Sequence, residues 1–270
     1  QALIKSRLIV LDGKKLEKFD INTEEKALAA KAKIEAQEFA VANVERKKAN
    51  RYPAAPFTTS TLQQEAARKL RFSAKKTMQI AQKLYEDGLI TSDDSTDAVN
   101  LSKEAIEACR AAILKYFGEA YLPKTAKEYK TKSKNAQEAH EAIRPSDVTN
   151  TPKKMEAKLD NDAHRLYELI WKRTVACQMN PAVMDKVAID FLSQDKLILL
   201  RANGQVIAFD GFLKLYQESK DDSDEDDENR ILPNVETGEA VTKGEIRTDQ
   251  HFTTPPPRFT EASLVKKLEE

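Results

Sequence analysis

Residues 58–88 read TTSTLQQEAARKLRFSAKKTMQIAQKLYEDG, and this stretch decides the fold because two helical patterns follow each other across a tight turn. Ser60 with Gln63 matches a capping box, and Leu62 begins an apolar stripe that continues at helical spacing. Ser73 is placed to cap the second helix, and Asp87-Gly88 is placed to end it. The pattern predicts a helix-turn-helix.

Two further helices are expected downstream, one opening near Ser102 and one over residues 160–178. Both carry apolar residues at helical spacing, and the second includes Tyr167 and Ile170. The helical pattern then ends at Pro181. Residues 58–180 are therefore predicted to form one helical block.

The sequence on both sides of this block has the two-residue period of β-strands. Residues 8–11 precede Asp12-Gly13, a hairpin-type turn, and a helix over residues 22–36 and a strand from Phe39 follow. After Pro181, residues 197–202 and 205–209 flank Asn203-Gly204, which predicts a second hairpin. The simplest architecture is an α+β fold in which a helical domain is inserted into a β-rich domain.

Composition excludes several classes of protein. Lys+Arg and Asp+Glu both number 44, so the net charge does not point to a partner. Cys109 and Cys177 form no CxxC pair, which argues against a zinc site or a disulfide framework and suits a cytoplasmic protein. No apolar run approaches the roughly 20 residues of a membrane span. The acidic run 221–228 is expected to be a mobile surface loop.

Basic residues are concentrated in the helical block. Lys69, Arg71, Lys75 and Lys76 surround the start of the second helix, whose free N–H groups suit a phosphate. Residues 121–134 are expected to form a mobile loop in which five lysines, Lys127 among them, are interleaved with two tyrosines. Such a loop can bind phosphates and stack bases, although solvated surface lysines explain any single position equally well.

His140 and Arg144 lie four positions apart, so they share a helix face if the helix continues to Pro145. Such a pair could bind one phosphate, whereas a purely structural role at a helix interface is the alternative. Glu138 and Glu141 beside one histidine are weak evidence for a metal site. The sequence has neither a Gly-x-Ser-x-Gly motif nor a glycine-rich phosphate loop.

Several ordered blocks resemble one family. They are residues 55–66, 75–78, 81–86, 88–91, 137–147, 171 with 175–179, 209–212, 230–233 and 259–266. In this order they resemble the central part of the bacterial type IA DNA topoisomerases. Residues 55–66 (APFTTSTLQQEA) are similar to the segment that opens the gate domain, and residues 140–147 (HEAIRPSD) form the core of another family block.

The resemblance implies a toroidal enzyme that relaxes negatively supercoiled DNA. A tyrosine cleaves one strand and becomes joined to the 5′ phosphate, and the other strand then passes through the gap. An acidic domain with Mg²⁺ faces that tyrosine in the family. By resemblance, residues 55–180 are the helical gate domain, residues 1–54 and 181–248 form the β-rich arch, and residue 249 begins the base domain.

The resemblance also implies the partner, the location and the DNA-binding residues. The partner is a single-stranded segment of DNA and not a membrane, and the protein is expected to be a monomer in the bacterial cytoplasm, at the nucleoid. The residues expected to bind DNA are His140, Arg144, Lys75, Lys76 and Lys127.

The sequence departs from the family at the active-site motif. Gly88-Leu89-Ile90-Thr91 matches, but Ser92 stands where the family has its nucleophilic tyrosine, and the nearby arginine is also missing. Tyr85 is not a substitute, because it falls on the expected apolar stripe of the preceding helix. We therefore expect a fragment that binds single-stranded DNA, neither cleaves it nor holds a metal ion, and lacks the acidic Mg²⁺ domain.

Two other readings remain. A DNA-binding regulator built on the helix-turn-helix would carry that motif at one end of the chain, whereas here it interrupts a β-rich region. The second reading is a purely structural arch, which would have negligible affinity for DNA at low salt.

Overall fold

The computed structural model describes residues 3–91, 96–129, 141–219, 232–253 and 258–269. The chain divides into two compact units. The β unit comprises residues 1–49, 183–208 and 224–256, and the helical unit comprises residues 50–182, 209–223 and 257–270. The acidic run 221–228 lies outside the described residues, so the expectation of a mobile loop stays a prediction.

The helical unit contains six helices among the described residues: α2 (Thr59–Leu70), α3 (Ala74–Glu86), α4 (Lys103–Tyr116), α5 (Pro152–Met155), α6 (Asn161–Cys177) and α7 (Glu261–Glu269). Helices α3, α4 and α6 begin after the side-chain caps Ser73, Ser102 and Asp160, each of which accepts a backbone N–H from the first turn. The predicted helix pair α2–α3 and helices α4 and α6 are confirmed.

The cap of α2 is not the predicted one. Thr58 accepts from the backbone N–H of Thr61, and the Thr61 hydroxyl accepts from that of Thr58. Ser60 lies inside the helix, is buried, and accepts a hydrogen bond from the Gln64 amide at 3.1 Å. The predicted Ser60–Gln63 box is therefore wrong by two residues, because the four consecutive hydroxyl residues 58–61 offered competing caps.

Helix α6 forms the centre of the helical unit. Eleven of its residues are buried, among them Leu166, Tyr167 and Ile170. It contacts α2, α3, α4 and α5. Trp171, the only tryptophan of the chain, is 5% exposed and donates its indole N–H to the Val148 carbonyl at 2.9 Å.

The β unit contains strands β1 (Arg7–Leu11), β2 (Lys14–Lys15), β3 (Phe39–Arg51), β4 (Ala182–Ser193), β5 (Leu199–Phe209) and β6 (Ala240–Val241), with helix α1 (Glu24–Glu35). The sheet order is β2-β1-β5-β4-β3-β6, and the registers of β1 with β2 and β5 and of β3 with β6 are antiparallel. Strands β3 and β4 are neighbours, although the long helical segment separates them in sequence. The hydrophobic core of the β unit includes Ile34, Phe39, Val41, Ile189 and Phe191.

One of the two predicted hairpins is confirmed and the other is wrong. Asp12 and Gly13 have φ of 52° and 75° and connect β1 to β2. Asn203-Gly204, in contrast, lies inside the continuous strand β5. The turn falls instead at Asp195 and Lys196, where Ser193 and Asp195 side chains accept the backbone N–H groups of Ile198 and Leu197.

The compact units differ from the predicted domain boundaries in two places. Residues 209–219 belong with the helices, because Phe212 donates its N–H to the Asn180 carbonyl and both Phe212 and Tyr216 are buried. A side chain at Gly211 would overlap the backbone at Pro181, so this connection requires glycine. Helix α7, predicted to begin a separate base domain, packs against α2.

Candidate nucleic-acid interface

Residues 141–146 form an extended segment at the centre of the candidate site. The Ile143 N–H donates to the Phe57 carbonyl at 2.8 Å, and the Ser146 N–H donates to the Leu89 carbonyl at 2.9 Å. Bridges also link Phe57 with Ile143 and Ile90 with Pro145. Residues 141–145 are therefore not helical, because β-type pairing on both sides holds them extended. His140 lies outside the described residues.

The extended segment fixes the two residues that flank positions 92–95. The Thr91 N–H donates to the Arg144 carbonyl at 3.0 Å, and the Thr91 hydroxyl donates to the Ala142 carbonyl at 3.1 Å. On the other side, the Thr96 hydroxyl donates to the Glu141 carbonyl at 3.0 Å. The Thr96 carbonyl also accepts the Thr59 backbone N–H at the start of α2, and the Thr96 N–H donates to the Thr59 hydroxyl. Ser92 and His140 lie outside the described residues, so their predicted roles stay predictions.

Arg144 is held by protein groups at this junction. Its Nε and Nη2 donate to one carboxylate oxygen of Glu141 at 3.2 and 2.8 Å, and its Nη1 donates to the Pro145 carbonyl at 3.0 Å. The other Glu141 oxygen accepts the Ser102 backbone N–H at 2.5 Å, at the start of α4. The Arg144 side chain is only 13% exposed. A phosphate that binds Arg144 must therefore compete with Glu141.

Lys75 and Lys76 lie at the first turn of α3 and differ in their contacts. Lys75 is exposed and makes no hydrogen bond or ion pair to any residue that the structure describes. Lys76 pairs with Asp162 at 2.6 Å and lies over the Phe72 ring. The Ala74 N–H at the same helix end donates to a Glu261 oxygen at 2.5 Å. An in-chain carboxylate thus occupies part of the predicted phosphate site.

Of the predicted DNA-binding residues that the structure describes, Lys75 and Arg144 lie near opposite ends of α3. Lys75 stands at the start of the helix, whereas the Arg144 carbonyl accepts the Thr91 N–H just beyond its end. Helix α3 has thirteen residues and is therefore roughly 20 Å long.

Lys127 is not on a mobile loop, as the sequence had suggested. Its Nζ donates to the Met179 carbonyl at 2.5 Å, and its backbone exchanges hydrogen bonds with the Gln178 side chain at 3.0 and 2.8 Å. Burial lowers the pKa of this ammonium group. Lys127 therefore fixes residues 127–129 against the end of α6, and its role in DNA binding stays a prediction.

The chain has seven tyrosines, all within the described residues, and none lies between residues 86 and 115. Four donate their hydroxyls to protein acceptors: Tyr121 to Asp210, Tyr129 to Cys177, Tyr167 to Asn150 and Tyr216 to Glu65. The pKa of each is raised, by the Asp210 hydrogen bond for Tyr121 and mainly by burial for the others. A phenol that stays protonated and committed to an acceptor is a poor nucleophile.

Tyr52, Tyr85 and Tyr116 are exposed, by 67%, 41% and 44%. The prediction that Tyr85 lies on the buried stripe of α3 is wrong, because Thr77, Ala81 and Leu84 form the buried side of that helix. Tyr85 lies in α3, ahead of residues 88–91, the stretch that matches the family's active-site motif.

A buried ionic network beside α2 and α6 was missed at the sequence level. Arg173 is 4% exposed and donates to the Ala55 carbonyl, the Tyr216 hydroxyl and Glu218 at 2.5, 3.2 and 2.6 Å. Glu65, 3% exposed, accepts from Tyr216 at 2.8 Å. The position of Glu65, three residues after the buried Leu62, was the available signal, because that spacing shares a helix face.

Among the described residues, no group of three or more His, Cys, Asp or Glu side chains could hold a metal ion. No Mg²⁺ site is therefore assigned within these ranges. Within the same ranges, no helix is long and apolar enough to cross a membrane.

Comparisons with known proteins agree with this arrangement. The family model for DNA topoisomerase matches residues 2–270. DNA topoisomerase 1 of Rickettsia felis is 52% identical and that of Xylella fastidiosa 48%, over 99% and 98% of this chain. The chain spans 35% and 34% of those two relatives. The structure of full-length topoisomerase I from Thermotoga maritima matches 98% of the chain with a TM-score of 0.75 at 31% identity, and 42% of that protein is covered.

The match extends over nearly the whole sequence and is found independently in the fold. It removes the basis for the regulator reading, because the helix-turn-helix belongs to a family pattern that continues on both sides of it. The chain therefore belongs to the bacterial type IA DNA topoisomerase family.

Proposed function

We propose that this chain forms the DNA-gate part of a type IA topoisomerase and binds single-stranded DNA through the sugar-phosphate backbone without cleaving it. The observation that carries the proposal is the fixation of Thr91 and Thr96 by residues 141–144. These hydrogen bonds define both flanks of the positions where the family has its tyrosine. Arg144 is anchored at the same junction.

The binding path proposed for the DNA follows α3. Lys75 at one end offers an exposed ammonium group, and Arg144 beyond the other end offers a guanidinium. Because α3 is roughly 20 Å long, the path requires an extended strand that contacts both ends through different phosphates. Because phosphates are the same at every nucleotide, binding should show no base preference.

The proposed lack of cleavage rests on the residue that stands at the position of the family nucleophile. Ser92 stands at the position of the family tyrosine, and four of the seven tyrosines donate to protein acceptors. We propose that members of the family that have this tyrosine relax negatively supercoiled DNA by a tyrosine-dependent break and strand passage. Mg²⁺ would then be held by a part of the protein outside these residues. We further propose a monomer that acts in the cytoplasm at the nucleoid.

Titration of a labelled single-stranded oligonucleotide tests the binding path. Each phosphate contact contributes about 0.7 to the slope of log K against log salt. Lys75→Ala should lower that slope by about 0.7. Lys33→Ala is a matched control, because Lys33 pairs with Asp12 in the β unit, and it should leave the slope unchanged. Equal slopes for all three proteins would contradict the proposed path.

Incubation with negatively supercoiled plasmid tests the lack of cleavage. We expect no relaxed plasmid and no covalent protein–DNA adduct after denaturation, with or without Mg²⁺. Either product would show that a residue of this chain acts as a nucleophile and would overturn this part of the proposal.

A further inference from the structure

Glu141 touches three separate parts of the candidate interface. Its side chain accepts from Arg144 and from the Ser102 N–H, and its carbonyl accepts from the Thr96 hydroxyl. Its carboxylate is 28% exposed, so solvent reaches it from one side. No other carboxylate in the described residues is hydrogen-bonded to Arg144.

The donors around Glu141 are those that a phosphate would use. A guanidinium and a backbone N–H both donate to anionic oxygens, and such charge-assisted hydrogen bonds are the stronger kind. The Glu141 carboxylate satisfies both donors and neutralises Arg144. A DNA phosphate gains the charge of Arg144 only to the extent that it replaces this carboxylate.

We propose that Glu141 is the positioning residue that sets how strongly Arg144 engages DNA. It keeps the guanidinium at the Thr91–Thr96 junction and competes with phosphate for it. The result is weak, readily reversed binding at this end of the path, as strand passage requires. This inference rests on the proposed function, because it assumes that single-stranded DNA reaches Arg144.

The role of Glu141 predicts an increase in affinity, which loss of a structural residue would not produce. Glu141→Gln keeps the size of the side chain but removes its charge, and it replaces one of the two accepting oxygens with an amide NH₂ donor. Single-stranded DNA should bind on the order of tenfold more tightly at low salt. The salt slope should become steeper, by up to about 0.7, because the Arg144 contact that the carboxylate weakens in the wild type becomes complete.

Matched variants separate this effect from a change in folding. Arg144→Ala should bind more weakly than the wild type, and Glu141→Gln in the Arg144→Ala background should add nothing. Glu141→Asp keeps the charge and should retain the shallower slope. Thermal unfolding of each variant, followed by Trp171 fluorescence, shows whether the helical unit is intact.

A measurement on the unmodified protein guards against a Glu141→Gln variant that fails to fold. The side-chain Nε–H signal of Arg144, assigned by its loss in Arg144→Lys, should shift when the oligonucleotide is added. An unchanged signal at saturating DNA, or an unchanged slope in Glu141→Gln, would overturn the inference while leaving DNA binding intact. No binding by any variant at low salt would instead overturn the proposed function.

Discussion

Replacing Arg173 with methionine tests the buried network that joins residues 216–218 to α2 and α6. Methionine keeps most of the apolar stem against Phe57, over whose ring the guanidinium lies at 4.7 Å. The substitution removes hydrogen bonds to the Ala55 carbonyl, Tyr216 and Glu218. It also leaves Glu65, 3% exposed, with less positive charge nearby.

The cost follows from what each former partner can do. The Glu218 side chain is 45% exposed and can be solvated again, so it adds little. The Ala55 carbonyl loses a charged donor, which costs about 1–3 kcal/mol. Removing one member of a buried ion pair costs about 3–5 kcal/mol, and solvation of Glu218 lowers that figure. We expect a loss of about 2–4 kcal/mol in the free energy of unfolding, which corresponds to a fall in Tm of roughly 4–16 °C.

Trp171 makes the assay specific for the helical unit, because it is the only tryptophan and lies on α6. Lys172→Met is the matched control. Lys172 is the next residue, pairs with Glu168 at the surface, and should change Tm by no more than about 2–4 °C, since exposed pairs contribute less than about 1 kcal/mol. Equal Tm values for the two variants would refute the assignment of Arg173 to a stabilising buried network.

Three further predictions follow from local geometry. Gly211→Ala should destabilise the helical unit by at least about 2 kcal/mol, because residue 211 has a φ of 49° and the added Cβ would overlap a backbone carbonyl. Gly118→Ala is the control: its Cβ would meet no atom, and it should cost only about 1–2 kcal/mol. Equal losses of Tm in the two variants would exclude the overlap. Cys109 and Cys177 should resist a thiol reagent at pH 8 until the protein is unfolded. Burial raises the pKa of Cys109 to about 12 and also raises the pKa of Cys177, so neither thiol forms the reactive thiolate. Rapid labelling of the native protein would contradict this prediction. Asp160→Ala should lower the free energy of unfolding by about 1 kcal/mol, and Asp160→Asn by much less, because asparagine also caps helices. Similar losses of stability in the two variants, measured by thermal unfolding, would argue against the cap.

Asp160 also gives the sign of a pH effect. The Ala163 backbone N–H and then Lys83 lower the pKa of this carboxyl group. Its charge therefore stabilises the folded state above the ordinary aspartate pKa of about 4, and this contribution is lost as pH falls through the lower folded-state value. The Tm difference between the wild type and Asp160→Asn should shrink in acid, and a constant difference would show that the carboxylate charge adds nothing.

Local signals predicted the helices well. Ser73, Ser102 and Asp160 are side-chain caps followed by apolar residues at helical spacing, and the helices begin where these caps stand. Such signals act within one turn and need no information from the rest of the chain. The Asp12-Gly13 turn was predicted for the same reason.

The errors arise where distant residues decide the conformation. Residues 141–145 are extended because Phe57, Leu89 and Thr91 supply backbone partners, and the sequence around His140 does not show these partners. Asn203-Gly204 lies within β5, an inner strand of the sheet with β1 and β4 as its neighbours.

At the candidate site, the sequence identified residue types but not their contacts. Arg144 falls within a family block, but the backbone partners of residues 141–146, at Phe57, Leu89 and Thr91, are distant in sequence. Lys127 was assigned to a mobile loop because the acceptor of its ammonium group, the Met179 carbonyl, lies 52 residues away in sequence.

The central claim is that the chain binds single-stranded DNA through phosphates at both ends of α3. Fluorescence anisotropy of an end-labelled single-stranded oligonucleotide with the wild-type chain, at 50 and 200 mM salt, tests it most directly. At least two phosphate contacts, each contributing about 0.7 to the slope, predict that affinity falls roughly sevenfold or more between these concentrations. No anisotropy change at the lower salt concentration, or an affinity independent of salt, would contradict the claim.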